Sequence, residues 1–198
     1  MVNKGTQTRQ NITKKALQVF SVKGYYNTSI NDILEATGLT KGGLYGHFRS
    51  KEDIWYAVYE EAVRIWKGVV FNDMRDISNP IERIERVIEN HLRDYLGADV
   101  FDGGCFFVNM LVEVSGQSEK MSRNILIGFV KFSKLLCSWF EEANEKCFLR
   151  EGLNFKEIAN FIIISLNGAA TLYSASRDPN IWKETIIQLR FYINRLKS

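Results

Sequence analysis

Residues 40 to 51 read Thr40-Lys41-Gly42-Gly43-Leu44-Tyr45-Gly46-His47-Phe48-Arg49-Ser50-Lys51. The polar members are cations and hydrogen-bond donors, with no carboxylate among them. Such a set suits contact with an anion. On a helix, Leu44 and Phe48 lie four apart and share one face, which leaves Lys41, Gly42, Tyr45, Gly46 and His47 pointing outward. Lys41 can donate to O6 and N7 of guanine in a major groove. Tyr45 and His47 can donate to phosphate oxygens, which fixes register without reading sequence. Gly42 and Gly43 allow close backbone approach and leave helix-start amides for phosphate. A purely structural helix would lose about 1 kcal/mol at each glycine relative to alanine. Lys51 opens the following helix, where side chain and amides together offer a phosphate site. A half-buried packing role for Tyr45 and an exposed or capping role for His47 fit the same pattern.

Other chemistries find little support. Cys105, Cys137 and Cys147 form no C-x-x-C pair, and His47 and His91, the only histidines, have no metal spacing. No P-loop, G-x-S-x-G or H-E-x-x-H occurs, so no enzyme, metal or cofactor is expected. The net charge of the 198 residues is +3. Residues 1–51 hold eight basic side chains against Asp32 and Glu35, a net +6, so the rest carries −3. A basic head on a mildly acidic body points to a polyanion partner. A helical interaction module without DNA binding is the alternative, and the basic head and glycine-rich exposed helix argue against it.

The elements that position these residues are helices. Ile12, Ala16, Val19 and Phe20 form one stripe, with Gly24 as a stop. Ser29 to Ala36 makes a short second helix that Gly38 ends, and Thr40 caps a third to about Phe48. Ser50-Lys51-Glu52-Asp53 resembles a capping box and opens a fourth helix to about Phe71. Asn79-Pro80 starts a helix that Gly97 closes. Further helices begin near Cys105, Ser118, Asn154 and Asp178-Pro179. The expected fold is all-α with about nine helices, divided into a helix-turn-helix domain at 1–51 and a helical body at 52–198. No run approaches 18 apolar residues and the N-terminus lacks an apolar leader core, so no membrane partner and a cytoplasmic location are expected.

The second and third helices read as a helix-turn-helix. Ala36 is small where the helices approach, Gly38 tolerates a positive φ in the turn, and Leu39 fills the space between. Together with Gly24-Tyr25, Thr28-Ser29-Ile30 and the run Thr40 to Glu52, this resembles the N-terminal domain of TetR-family transcriptional repressors. The resemblance implies an all-helical homodimer that spans two half-sites of double-stranded operator DNA and is controlled by a small-molecule inducer. By matching positions it makes Asn31, Lys41, Gly42 and Gly46 base-proximal candidates and Ser29, Tyr45, His47 and Lys51 phosphate candidates, with Thr40 and Gly43 beside them. Gly46 departs from the many relatives that carry a bulky aromatic or polar residue there.

In the body, Trp182, Ile186, Leu189, Ile193 and Leu196 recur at spacings of 4, 3, 4 and 3, a coiled-coil-like seam. The preceding helix, containing Phe161, is apolar on most sides. Paired with their copies, the two helices would make a four-helix dimer interface; packing only within one chain is the alternative. Trp66, Phe71, Phe106, Phe107, Met110, Phe129, Phe132, Trp139 and Phe140 either line an apolar cavity or form ordinary core. Glu113, a charge amid apolar residues, either meets a polar ligand group or faces solvent or an arginine. Cys105 stands at a helix start, where the dipole favours thiolate; a buried inert thiol is the other reading. The run from Gly104 to Met121 also resembles an electrophile-responsive, NemR-like branch of the TetR family.

Overall fold

A computed structural model describes residues 4–198, and within them helix follows helix. Residues 1–3, at the start of the expected N-terminal domain and leader-free terminus, lie outside the described residues. The helices are α1 Lys4–Lys23, α2 Ile30–Thr37, α3 Lys41–Tyr45, α4 Lys51–Val70, α5 Pro80–Glu89, α6 Phe106–Val114, α7 Glu119–Glu145, α8 Phe155–Ser176 and α9 Pro179–Asn194. A π-helical segment, Asn90–Leu96, continues α5. An antiparallel bridge between Leu149 and Lys197 ties the C-terminus to the α7–α8 connection.

Local chemistry sets these boundaries. The side chains of Ser29, Thr40, Ser50, Asn79, Asn154 and Asp178 each accept a first-turn backbone N–H. Pro80 and Pro179 occupy first-turn positions where the missing N–H costs nothing. Gly38 takes φ 68°, the left-handed turn between α2 and α3. Ile12, Ala16 and Phe20 of α1 are fully buried, as are Ile33, Leu44 and Phe48. They seat the three N-terminal helices on one another and on α4, each large side chain contributing about 1.5–3 kcal/mol.

Three expectations are corrected. First, α3 ends at Tyr45 rather than Phe48; Leu44 and Phe48 are still both buried, because the tight turn after Tyr45 keeps Phe48 on the inner side. Second, the helix begun by Pro80 changes register at Asn90. Gly97 N–H donates to the Leu92 carbonyl and Val100 N–H to that of Tyr95, five residues back. The buried Asn90 amide donates to the carbonyls of Val70 and Asn72 at 3.2 Å each, so the widened turn grips the end of α4. Third, α8 is long and apolar enough, by length and composition, to cross a membrane. Its inner face, with Ile158, Ile162, Leu166 and Tyr173, is buried, and it packs against α7 and α9.

Candidate nucleic-acid interface and ligand cavity

The capping box at Ser29 fixes α2. Ser29 Oγ accepts from Asp32 N–H at 3.1 Å, and the Asp32 carboxylate accepts from Ser29 N–H and Oγ–H at 2.7 Å each. Lys23, 2.6 Å from Asp32, together with Ser29 holds that carboxyl well below the usual range. Ser29 is exposed, but its hydroxyl proton is engaged in the cap, so a phosphate would have to compete with Asp32. Asn31 is exposed on α2.

α3 presents the expected surface. Thr40, Lys41, Gly42, Gly43, Tyr45 and Gly46 are exposed, and His47 is half-buried. Of the two amides expected to be left for phosphate, that of Gly43 donates to Thr40 Oγ1 at 3.2 Å, which leaves the Thr40 hydroxyl its own proton to donate. A Cβ at Gly42 would meet nothing within 4 Å, and at Gly46 only ordinary contacts at 3.5 Å. The fold itself therefore does not require glycine at either position. Arg9, which carried no motif signal, donates to the His47 carbonyl and lies over the Phe48 ring, 3.9 Å from its centroid. It fastens the end of the recognition segment to α1.

Lys51 departs from its expected role. Its ammonium turns inward, donating to the carbonyls of Tyr25 and Thr28 at 2.9 Å each and lying 4.4 Å from the Tyr25 ring centroid. The α1–α2 loop offers two convergent carbonyls there, a closer partner than solvent. Glu113 is corrected as well: it meets neither a ligand cavity, nor solvent alone, nor an arginine. From α6 its carboxylate accepts the backbone N–H of Tyr25 at 2.8 Å and of Tyr26 at 2.7 Å. The loop from Gly24 to Thr28 is thus held by α4 through its carbonyls and by the body through its amides. A charge at the end of an apolar helix gave the only sequence hint; the partner lies 88 residues away.

Behind this head a cavity of about 350 Å³ opens between α4, the π-helical segment, α7 and α8. Tyr59, Val63 and Trp66 of α4, His91, Phe107, Phe129, Phe132 and Leu166 form its walls, with Lys67 and Lys131 exposed at its mouth. The rings of Trp66 and Phe132 meet edge-on at 5.0 Å, and His91 stacks on Phe132 at 6.1 Å. Among the described residues no cluster of His, Cys, Asp and Glu fit to hold a metal occurs.

Residues 12–58 match the family model for bacterial regulatory proteins of the tetR family, and residues 80–189 match the tetracyclin repressor-like C-terminal domain. The HTH-type transcriptional repressor DhaR of Mycobacterium sp. (strain GP1) is 32% identical over 167 residues, 83% of this chain and 81% of that protein. This chain belongs to the TetR family. A TetR transcriptional regulator from Chloroflexus aurantiacus J-10-FL shares its fold with a TM-score of 0.92 at 24% identity, over 98% of each chain. The reduced form of E. coli NemR does so with a TM-score of 0.80 at 19% identity, over 97% of each, a likeness of fold alone. As a TetR-family member the chain is a DNA-binding transcriptional regulator and not an enzyme.

Within this TetR-family body the expected ligand residues divide. Trp66, Cys105 and Phe132 line the cavity, together with Phe71, Phe107 and Phe129. Phe106 and Met110 do not; they are buried core residues of α6, and Phe140 is likewise core. Trp139 packs outside the cavity against Phe71 and beneath Arg83. Composition marks aromatic residues but not which face of α6 or α7 is hollow.

Cys105 caps α6 but is buried. Burial pushes its thiol up, against the amides of Val108 and Phe107 at the helix start, which pull it down and lose. The dipole alone would have favoured thiolate. Treatment of the native protein with iodoacetamide near pH 8 is expected to alkylate the exposed Cys147 at least about 100-fold faster than Cys105, because alkylation needs an accessible thiolate. Peptide mass mapping over time checks this, and comparable rates would overturn the inert assignment.

The expected dimer seam is also corrected. Ile186, Leu189 and Ile193 are buried within the chain, and Trp182 is half-buried against Gly97. A 4-3-4 spacing shows which residues share a face, not what covers it; here α8, α5 and the π-helical segment do. Phe161 stays exposed as expected. The exposed apolar face is completed by Ile164 (68%) and Leu172 (61%) of α8 and by Ile187 (61%) and Phe191 (56%) of α9.

Proposed function

We propose that this regulator is a homodimeric repressor that leaves its operator when a small, largely apolar molecule fills the cavity. The observation that carries this reading is the double attachment of α4. Its first residue, Lys51, holds the α1–α2 loop of the head, and two to four turns on, Tyr59, Val63 and Trp66 wall the cavity. A ligand that shifts α4 therefore shifts the head. A coupling of about 1–3 kcal/mol between the sites is typical. The head is residues 1–51 and the body 52–198, with α4 as lever. The DNA-facing set is Asn31, Thr40, Lys41, Gly42, Tyr45, Gly46 and His47, with Ser29 and the Lys51 amide at its edge. The repressor sense is supported by the likeness to the transcriptional repressor DhaR, and a cytoplasmic location goes with binding operator DNA.

The dimer forms through Phe161, Ile164 and Leu172 of α8 and Ile187 and Phe191 of α9, exposed side chains that continue across the paired helices through the Phe161–Tyr192 ring contact at 5.1 Å. A two-fold axis there would place two α3 helices at successive major grooves, roughly 34–36 Å apart. Leu172→Glu with Ile187→Glu is expected to convert a dimer into a folded monomer in sedimentation, with duplex affinity at least about 100-fold lower through lost bivalency. The wild type is expected to show a steep loss of affinity with salt. A monomeric wild type, or duplex binding indifferent to salt, would overturn the reading.

A further inference from the structure

We propose that the cavity takes a neutral, largely aromatic small molecule that presents one hydrogen-bond acceptor oxygen, a carbonyl or ether, to the Nε2–H of His91. This rests on the reading of the cavity as a ligand site and names the ligand's chemistry. The imidazole is oriented by Trp66, whose indole Nε1–H donates to His91 Nδ1 at 3.2 Å. An indole nitrogen can only donate, so Nδ1 is the acceptor and the ring proton sits on Nε2. Burial holds His91 neutral, its pKa pushed down to about 4. Nε2 is buried and has no partner among the described residues. The other buried side-chain atoms in that condition are Trp55 Nε1, Tyr56 Oη and Trp182 Nε1. None of these belongs to a cavity-lining residue; His91 does.

A buried donor left unpaired is a standing cost that a ligand acceptor removes. The π-helical register is where this residue sits, and such irregular turns recur at functional sites. The rest of the wall is mostly aromatic and aliphatic, with Phe132 stacked on the imidazole and the neutral Asn124, Asn167 and Cys105 as its other polar members. Lys67 and Lys131 are exposed at the mouth, so no buried cation awaits a carboxylate deep in the cavity. A carboxylate there would meet only neutral donors and no buried cation, too little to offset its desolvation. The site thus selects a neutral oxygen.

The test uses three probes of one shape on the full-length protein without DNA: 2-acetylnaphthalene, its hydrocarbon isostere 2-isopropenylnaphthalene, and 2-naphthoate. Binding is followed by equilibrium dialysis. The ketone is expected to bind about ten-fold tighter than the alkene, the size of one net hydrogen bond, and tighter than the anion. In His91→Phe, which keeps an aromatic ring, the alkene should bind as before and the ketone's advantage should vanish. In wild-type protein with 15N-labelled histidine, which has two imidazoles, the ketone should move the Nε2 resonance of His91 and leave that of His47 in place. Equal binding of ketone and alkene, tightest binding by the naphthoate, a ketone preference that survives in His91→Phe, or binding of none of the three would overturn the proposal. Operator release plays no part in the readout. Ketone binding through His91 with unchanged DNA affinity would count against the repressor-release reading alone.

Discussion

Replacing Gly42 by aspartate lowers affinity for duplex DNA by roughly 100-fold at physiological salt while leaving the fold as stable as before. The two halves of this expectation have separate causes. A Cβ at position 42 meets nothing within 4 Å, so the substitution displaces no neighbour. The residue lies in the first turn of α3, after the Thr40 cap, where a negative charge is favoured by about 0.3–1 kcal/mol. Aspartate is also a slightly better helix former than glycine. The protein should therefore melt at the same temperature or a little higher. The same side chain, carried on an exposed α3 whose charged neighbour is Lys41, would bring a negative charge against a phosphate-lined groove. Like-charge juxtaposition costs several kcal/mol, and neutralised phosphates are a large part of DNA affinity. Gly42→Lys is the control: a longer side chain of opposite sign, with a far smaller loss on nonspecific duplex. Paired melting curves and duplex titrations check both variants. Unchanged duplex affinity in Gly42→Asp would mean that α3 does not face the DNA.

The head was legible because its determinants are local. Ser29, Gly38 and Thr40 act on groups within a few residues of themselves, and Leu44 and Phe48 declare the buried face of their own segment. The body was legible as helices for the same reason. What the sequence withheld lies across the chain. Glu113 reads as a stray charge until α6 is seen beside the α1–α2 loop. Lys51 reads as a free cation until two carbonyls are seen to converge on it. The register change at Asn90 leaves the apolar positions Ile84, Ile88, Leu92 and Tyr95 compatible with an ordinary α-helix, so periodicity cannot reveal it. Nor can it mark His91 as a cavity residue. The α9 seam shows the limit most plainly. Ile186, Leu189 and Ile193 carry the expected spacing yet face α8 and the π-helical segment, while the exposed Ile187 and Phe191 lie one and two positions along from seam residues.

Glu113→Gln loosens the grip of the body on the head, with a stability loss of about 2 kcal/mol. The carboxylate accepts two backbone N–H groups, from Tyr25 and Tyr26, at 2.8 and 2.7 Å. Hydrogen bonds to a charged group contribute about 1.5–3 kcal/mol each when shielded; this pair is part-exposed, which brings the total toward the lower figure. Glutamine keeps the volume but offers a single acceptor oxygen and turns its NH₂ toward the second amide, donor against donor. For a chain of this size the loss corresponds to roughly 4–8 °C in melting temperature. Its location is more diagnostic than its size. Hydrogen exchange at the amides of Tyr25 and Tyr26 should quicken at least about ten-fold, while amides in the middle of α7 and α8 should change only as far as global stability does. Lys51→Met removes the opposing grip on the Tyr25 and Thr28 carbonyls. The two substitutions hold the same loop, so their effects should not add, and a double-mutant cycle should show coupling above about 0.5 kcal/mol. Gly24 sets the geometry of this clamp. It adopts φ 80°, and a Cβ there would lie 2.6 Å from a Glu113 carboxylate oxygen, so Gly24→Ala should mimic part of the Glu113→Gln effect. If exchange at Tyr25 and Tyr26 stays at its wild-type rate in Glu113→Gln, the carboxylate does not hold the loop in solution, and α4 and the close approach of Gly103 to Ser21 would link body and head.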